Sequence, residues 1–167
     1  QEFGVPKEII AAIIGIESSY GSITGRERVI DSLSTLAFDY PRRSKFFTKQ
    51  LEHFLLLARE EKLDPLVMKG SYAGAMGYGQ FIPSSYRSYA IDFDEDGIRN
   101  IVTNPIDAIG SVANYLSKHG WERNAIIAEA LTKNDVNSNF KTSLSLKELD
   151  ALELVSKINL PDKKYLQ

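Results

Sequence analysis

The sequence predicts a mainly α-helical domain, and three features carry that prediction. Residues 7–20 run without any breaker except Gly15 and hold Ile9, Ile10, Ala11, Ala12, Ile13, Ile14 and Ile16. Further along, Phe47, Leu51, Phe54, Leu55 and Ala58 recur at i, i+4, i+7, i+8 and i+11, the stripe of an amphipathic helix. Asn104-Pro105 then opens a segment that closes at His119-Gly120, a helix start followed by a basic-then-glycine stop.

Taken in order, Pro6 fits the first position of the opening helix, because a proline there forfeits only an N–H that has no helical partner. That helix is apolar on nearly every face, so it is expected to be buried in the core. Gly21 and Gly25 close it and bracket a short loop. Asp31 or Ser32 is expected to cap a helix carrying Leu33, Leu36 and Ala37, which Tyr40-Pro41 interrupts because the residue before proline resists the helical region. Ser44 starts the third helix. From Gly70 to Gly79, four glycines alternate with small and aromatic residues, which reads as a close-packed loop, and Pro83-Ser84-Ser85-Tyr86 begins a short helix after it. An acidic loop follows at Asp92–Gly97, before the helix that starts at Asn104-Pro105. Past Ala130 the pattern weakens, with Asn, Ser and Lys accumulating from Thr132 to Ser145 and a last amphipathic stretch from Leu146 to Val155. Residues 1–131 are therefore expected to form the core, carrying the acidic loop at 92–107, and 132–167 a partial C-terminal segment of the same unit.

Composition narrows the function classes. The chain has 167 residues, 43% hydrophobic and 25% charged, which excludes wholesale disorder and collagen-like structure. Its 20 basic and 22 acidic side chains leave a net charge of −2 with no basic run, which argues against a nucleic-acid partner. The apolar runs are too short for a transmembrane segment of about 20 residues. There is no cysteine, so disulfides, thiolate metal sites and cysteine nucleophiles are all absent. Gln1-Glu2-Phe3-Gly4 has neither the basic start nor the apolar stretch of a signal peptide, and an opening on Gln suggests a processed piece whose address has been cut away.

Glu17 is the most informative residue for chemistry. On the helical period it shares a face with Ile10, Ile13 and Ile14. A carboxyl held among isoleucines is desolvated, which favours its protonated form and suits a general acid. The alternative is an ordinary solvated glutamate near a helix end. The glycine-rich run from Gly70 to Phe81 lacks the signatures of a phosphate loop, a dinucleotide loop and a nucleophile elbow. Its glycines would let backbone approach a ligand, and Tyr72, Tyr78 and Phe81 offer flat surfaces for sugar rings. A tight packing segment is the competing reading.

Asp92, Asp94 and Asp96 stand at positions 1, 3 and 5 of a calcium-type loop, with Gly97 at position 6 where the chain must turn sharply. Thr103 occupies the position of the usual bidentate glutamate, and Asp107 is the nearest carboxylate that could close the site. Arg42 and Arg43 could bind an anionic group, or simply be solvated. His53 and His119 have no matching ligands for zinc, and no Ser–His–Asp set can be assembled. Asp31, Asp39 and Asp64 are all conceivable as a second catalytic carboxylate, but nothing singles one out. If Glu17 works alone, the substrate itself must supply the nucleophile.

Four ordered segments resemble the membrane-bound lytic murein transglycosylase B family: Ile14–Gly21, Phe38–Arg43, Gly70–Tyr86 and Asn104–Tyr115. The resemblance runs from about Gly4 to Trp121, and more loosely through Asn139–Thr142. It implies a lysozyme-like helical core that cleaves the β-1,4 bond between N-acetylmuramic acid and N-acetylglucosamine in peptidoglycan strands. The family's single catalytic glutamate falls on Glu17, which would protonate the glycosidic oxygen and then deprotonate the muramic acid 6-hydroxyl, leaving a 1,6-anhydromuramyl end. Family glycan-binding positions fall on Ser71, Gln80, Arg42, Arg43 and Tyr115, and Tyr78 joins them as a candidate from the same glycine-rich run. The family's metal loop falls on Asp92, Asp94, Asp96 and Asp107, with the backbone carbonyl of Ile98 between. It implies a structural calcium ion, with sodium as the alternative, and this chain has one residue more between Asp96 and Asp107 than the family pattern.

The family also has a helical segment before this start, a glycan-contacting stretch near its C-terminus and a lipid-anchored cysteine, which this chain lacks. A monomeric periplasmic enzyme is expected, anchored to the outer membrane in its full-length form. A catalytically silent glycan-binding piece and a water-using muramidase are the alternatives. A calcium sensor is the weakest reading, since one acidic loop and two methionines do not make a Met-rich target groove.

Overall fold

The computed structural model describes residues 2–124, and residues 1–123 form one compact unit. The expected boundary near 131, the segment 132–167 and the amphipathic stretch at 146–155 lie outside the described residues. Five α-helices make up about half of this unit: α1 (Lys7–Ser18), α2 (Val29–Phe38), α3 (Ser44–Glu60), α4 (Pro83–Tyr89) and α5 (Pro105–Lys118). Two short strands, β1 (Glu27–Arg28) and β2 (Lys69–Gly70), pair antiparallel with Glu27 opposite Gly70.

The core is built where α2 packs on α3, α3 on α4, and α5 on both α4 and α1. Val29, Leu33 and Ala37 line the inner side of α2, and Phe47, Phe54, Leu57 and Ala58 that of α3. The observed stripe on α3 is offset from the expected one. Leu55 is 48% exposed, and Leu57 together with the polar Gln50 is buried in its place. Gln50 is satisfied because its carbonyl oxygen accepts from the Ser84 backbone N–H at 3.0 Å, which ties α3 to the start of α4. Tyr86 on α4 is buried, and its hydroxyl donates to the Arg99 carbonyl at 2.7 Å. That burial pushes its pKa up to about 12, since a phenolate there would lose its hydration.

Three expectations need correction. The first helix is not buried all round: Ile10, Ile14 and Ser18 are its buried residues, while Ile16 is 83% exposed. It packs chiefly on α5, with Ile9 and Ile13 half-buried against the core. Pro6 is the residue before this helix rather than its first position. Asp31 does not cap α2, which begins at Val29; it sits in the first turn, where a negative charge suits the helix dipole, and pairs with Arg28 at 2.6 Å.

The interruption at Tyr40-Pro41 is present as a short 3₁₀ turn, Pro41–Arg43, between α2 and α3. Asn104 caps α5 through its side chain, which accepts from the Ile106 N–H, and Gly120 follows the helix at φ +89°. Gly25 has φ +106° and passes so close to the Gly70 backbone that a Cβ could not be fitted, so a glycine is needed just before β1, opposite the end of β2.

Candidate active site

Glu17 lies in the last turn of α1, and the chain reverses immediately beyond it. Ser19 and Tyr20 both adopt left-handed backbone, at φ 49° and 58°, and Gly21 follows at φ +86°. Two consecutive non-glycine residues in that region store strain that the surroundings must hold. Ser18 supplies much of the hold. It is 1% exposed, its hydroxyl donates to the Tyr78 carbonyl at 2.8 Å, and it accepts from the Gly21 N–H at 3.0 Å. Gly21 in turn lies against the Tyr78 ring, where a Cβ would overlap the ring carbons. The end of α1 is therefore fastened to the glycine-rich loop.

That loop is shaped by its own hydrogen bonds. The Ser71 hydroxyl accepts from the Ala73 and Ala75 N–H groups at 3.3 and 3.1 Å, and Met76 and Phe81 exchange two backbone bonds of 2.9 Å each. Between them Gln80 is left-handed at φ 49°, and its side-chain amide donates to the Gly77 and Thr24 carbonyls at 2.9 and 3.2 Å. The run is thus both a close-packed segment and a wall of a groove.

The groove has a volume of about 400 Å³. Ile13 and Glu17 come from α1, Gly79 to Ile82 from the loop, Ser85 from α4, and Val112, Tyr115 and Leu116 from α5. Among these residues Glu17 is the only carboxylic acid. Its side chain is exposed rather than enclosed by isoleucines, so the desolvation expected from the helical face is not there. The reason is the position of α1, whose buried face runs through Ile10, Ile14 and Ser18 and turns Glu17 toward the open groove, with Ile13 half-buried beside it.

The structure brings Glu17, Gln80, Phe81 and Tyr115 together and leaves the other expected glycan contacts outside this groove. Tyr78 lines a separate apolar hollow with Tyr20, Ile10 and Ile109. Arg42 and Arg43 line another hollow of about 430 Å³ with Lys45 and Lys49, and the Arg43 guanidinium lies 4.4 Å over the Phe46 ring. Ser71 spends its hydroxyl inside the loop, and Tyr72 is 79% exposed. Ser85 and Ile13 were not anticipated as groove residues. Their signal, position on the face of a short helix and one turn before Glu17, becomes readable only once α1 and α4 are placed.

In the acidic loop, the carboxylates of Asp92, Asp94 and Asp107 converge, with one oxygen of each within 4.8 Å of the others. Asp107 is fully buried and accepts from the Phe93 and Asn100 N–H groups at 2.7 and 2.8 Å. Asp92 accepts from the Asp96 and Gly97 N–H groups, and Asp94 from the Asn104 side chain. Asp96 stands apart from the converging three and caps the Ile98 N–H at 2.9 Å. Three carboxylates this close are a hard-oxygen donor set of the kind that takes a calcium or sodium ion.

A helical domain with an open groove, one acid among its described lining residues and a separate acidic loop matches known proteins closely. The chain belongs to the transglycosylase SLT domain family, whose model matches residues 1–164. It is 52% identical over 157 residues to the membrane-bound lytic murein transglycosylase B of Escherichia coli K12, covering 92% of this chain and 43% of that protein. Its fold superposes on the E. coli lytic transglycosylase SLT35 in complex with bulgecin A with a TM-score of 0.86 and 48% identity, over 97% of this chain and 52% of SLT35. A further SLT35 structure, in complex with calcium, gives a TM-score of 0.85 at 48% identity, over 98% and 53% of the two chains. SltB3 of Pseudomonas aeruginosa, in complex with NAG-anhNAM-pentapeptide, gives 0.75 at 36% identity over 92% and 42%. The chain thus spans about half the length of the relatives it matches. Their lysozyme-like helical fold is the one expected, and no helix among the described residues is long and apolar enough to cross a membrane.

Proposed function

We propose that this chain is the catalytic part of a periplasmic lytic transglycosylase, with Glu17 as its single acid and base. The observation that carries the reading is that the groove, among the described residues, is lined by one carboxylic acid. A two-carboxylate glycosidase needs a second acid to act as nucleophile or to activate water. With none among the described residues of the groove, the nucleophile in this reading is an internal hydroxyl of the substrate.

The balance of the step is simple. Glu17, protonated, gives its proton to the oxygen bridging the muramic acid C1 to the N-acetylglucosamine, and that C1–O bond breaks. The resulting carboxylate takes the proton of the muramic acid 6-hydroxyl as its oxygen bonds to C1. No water is consumed, and Glu17 ends protonated as it began. Glu17 is open to a glycan lying along the groove, which it must be to reach the glycosidic oxygen. SltB3 holding an anhydro-muramyl glycopeptide supports the product assignment.

The acidic loop takes a structural calcium ion in this reading, held by Asp92, Asp94 and Asp107, with the Ile98 carbonyl as a further donor and Asp96 shaping the turn through its bond to the Ile98 N–H. The calcium complex of SLT35 and the converging carboxylates support it. Such an ion would offset most of the charge of the three carboxylates and tie the loop to Asp107 in the first turn of α5. Arg42 and Arg43, with their neighbouring lysines, are suited to the acidic lactyl and peptide parts of a peptidoglycan strand.

The test is mass spectrometry of muropeptides released from purified sacculi. Products lighter by one water than the reducing-end species support transglycosylation, and their loss on Glu17→Gln supports the role of Glu17. Reducing-end products would identify a muramidase, and release by neither protein would leave a glycan binder.

A further inference from the structure

The groove residue Tyr115 is held by other rings on several sides, and one of them is an exposed histidine that nothing above uses. His119 follows Tyr115 by one helical turn at the end of α5. Its ring stacks on that of Tyr115, with centroids 3.9 Å apart and planes 23° from parallel. Its Nδ1 lies 2.7 Å from the Tyr115 carbonyl oxygen, so Nδ1 carries the proton and donates. Tyr89 meets both rings edge-on, at 5.2 Å from Tyr115 and 4.8 Å from His119, and Phe81 meets Tyr115 from the groove floor at 5.5 Å.

We propose that His119 is a positioning residue for the glycan: its ring, itself oriented by the Nδ1–H bond to the Tyr115 carbonyl, braces the Tyr115 ring in the orientation that lines the groove. This rests on the reading of the groove as a glycan site. The bond to the Tyr115 carbonyl fixes the His119 ring, and that ring, stacked on one face of Tyr115 with Tyr89 and Phe81 beside it, restrains the Tyr115 side chain. Freedom that Tyr115 would otherwise lose on binding is thus removed before the substrate arrives. The Nδ1 contact also caps the last turn of α5, beside the backbone N–H of His119 that closes on Tyr115 and Leu116, so the ring stack is the feature that ending a helix does not explain.

The test compares His119→Ala with His119→Phe, which keeps a stacking ring, and with His119→Asn, which keeps a donor. Melting temperatures establish that each variant is folded. On soluble uncrosslinked glycan strands, His119→Ala is expected to raise KM about three- to tenfold, the range that one lost aromatic contact supplies. Its kcat should stay within about twofold, and His119→Phe should recover most of the loss. An unchanged KM in His119→Ala, or a His119→Phe as impaired as the alanine variant, overturns the proposal. A readout without turnover separates this from the function itself. The chain has two histidines, so the ring C–H resonances of His119 and His53 are readily told apart. Adding N-acetylglucosamine tetramer should shift the His119 signals and leave those of His53 in place; no shift at saturation overturns the proposal. If the unmutated chain releases no anhydro product while His119 responds to the tetramer, the catalytic reading fails and the positioning role stands.

Discussion

Replacing Asp107 with alanine probes both the architecture of the acidic loop and the ion proposed to bind there. The carboxylate is fully buried and accepts two backbone hydrogen bonds, from Phe93 at 2.7 Å and Asn100 at 2.8 Å. Hydrogen bonds to a charged group contribute about 1.5–3 kcal/mol each, and an orphaned buried donor costs a similar amount. Allowing for water entering the space left behind, Asp107→Ala should cost about 4 kcal/mol, a fall in Tm of roughly 10 °C or more for a chain of this size. Asp107→Asn keeps the shape but turns an NH₂ toward one of the two donors, and should lose roughly half as much. Calcium adds a second measurement. At one hundred times its Kd, a ligand that binds only the folded state stabilises it by about 2.7 kcal/mol. The unmutated chain should therefore melt several degrees higher in calcium than in chelator, and Asp107→Ala should melt at the same temperature in both. Thermal unfolding followed by circular dichroism measures all of this. An alanine variant within about 3 °C of the parent would refute the buried-anchor argument. An equal calcium shift in parent and variant would remove Asp107 from the ion site.

Other outcomes follow from the same geometry. Gly25→Ala sets a Cβ against the Gly70 backbone at φ +106°, so it should destabilise by about 3 kcal/mol or more and is checked by denaturant unfolding. Because burial raises Tyr86 to about 12, the unfolded chain loses this proton first as pH rises, and stability is lost progressively between about pH 10 and 12. Tyr86→Phe should flatten that part of the stability–pH profile relative to the parent, while costing about 1 kcal/mol at neutral pH for the bond to Arg99. Alanine at both Arg42 and Arg43 should weaken binding of peptide-bearing glycan, measured by calorimetry, and leave binding of peptide-free strands within about twofold. Equal losses for both ligands would place the arginines on the sugar instead.

Helix existence could be read from the sequence because local signals decide it: Asn104 caps α5 with its own side chain, Pro41 breaks the chain after α2, and Ser44 opens α3. Which side of a helix faces inward is a tertiary matter and proved harder. Every isoleucine of α1 looked like core, yet the helix is covered chiefly on the side meeting α5, and Ile16 and Glu17 face outward. On α3, an apolar Leu55 stays outside while Gln50 goes in, because Ser84 offers it a partner. The site was half legible. Glu17, Gln80 and Tyr115 meet in one groove, and Asp92, Asp94 and Asp107 meet in one loop, the last across a gap that its sequence spacing only suggested. Asp96 matched the loop pattern as well as its neighbours did, but caps Ile98 instead of converging with them. Ser18, which fastens the strained turn beyond Glu17, has no signal in the sequence. Its role depends on Tyr78, sixty positions away.

The central claim is that the chain breaks a glycosidic bond with one carboxylate and without water. Digesting purified sacculi in heavy-oxygen water, with Glu17→Gln alongside, tests it most directly. The account predicts anhydro-muramyl products carrying no heavy oxygen from the unmutated chain, and a rate at least about a hundredfold lower from Glu17→Gln. Products that carry one heavy oxygen at the new muramic acid end would contradict it, because water would then be the nucleophile.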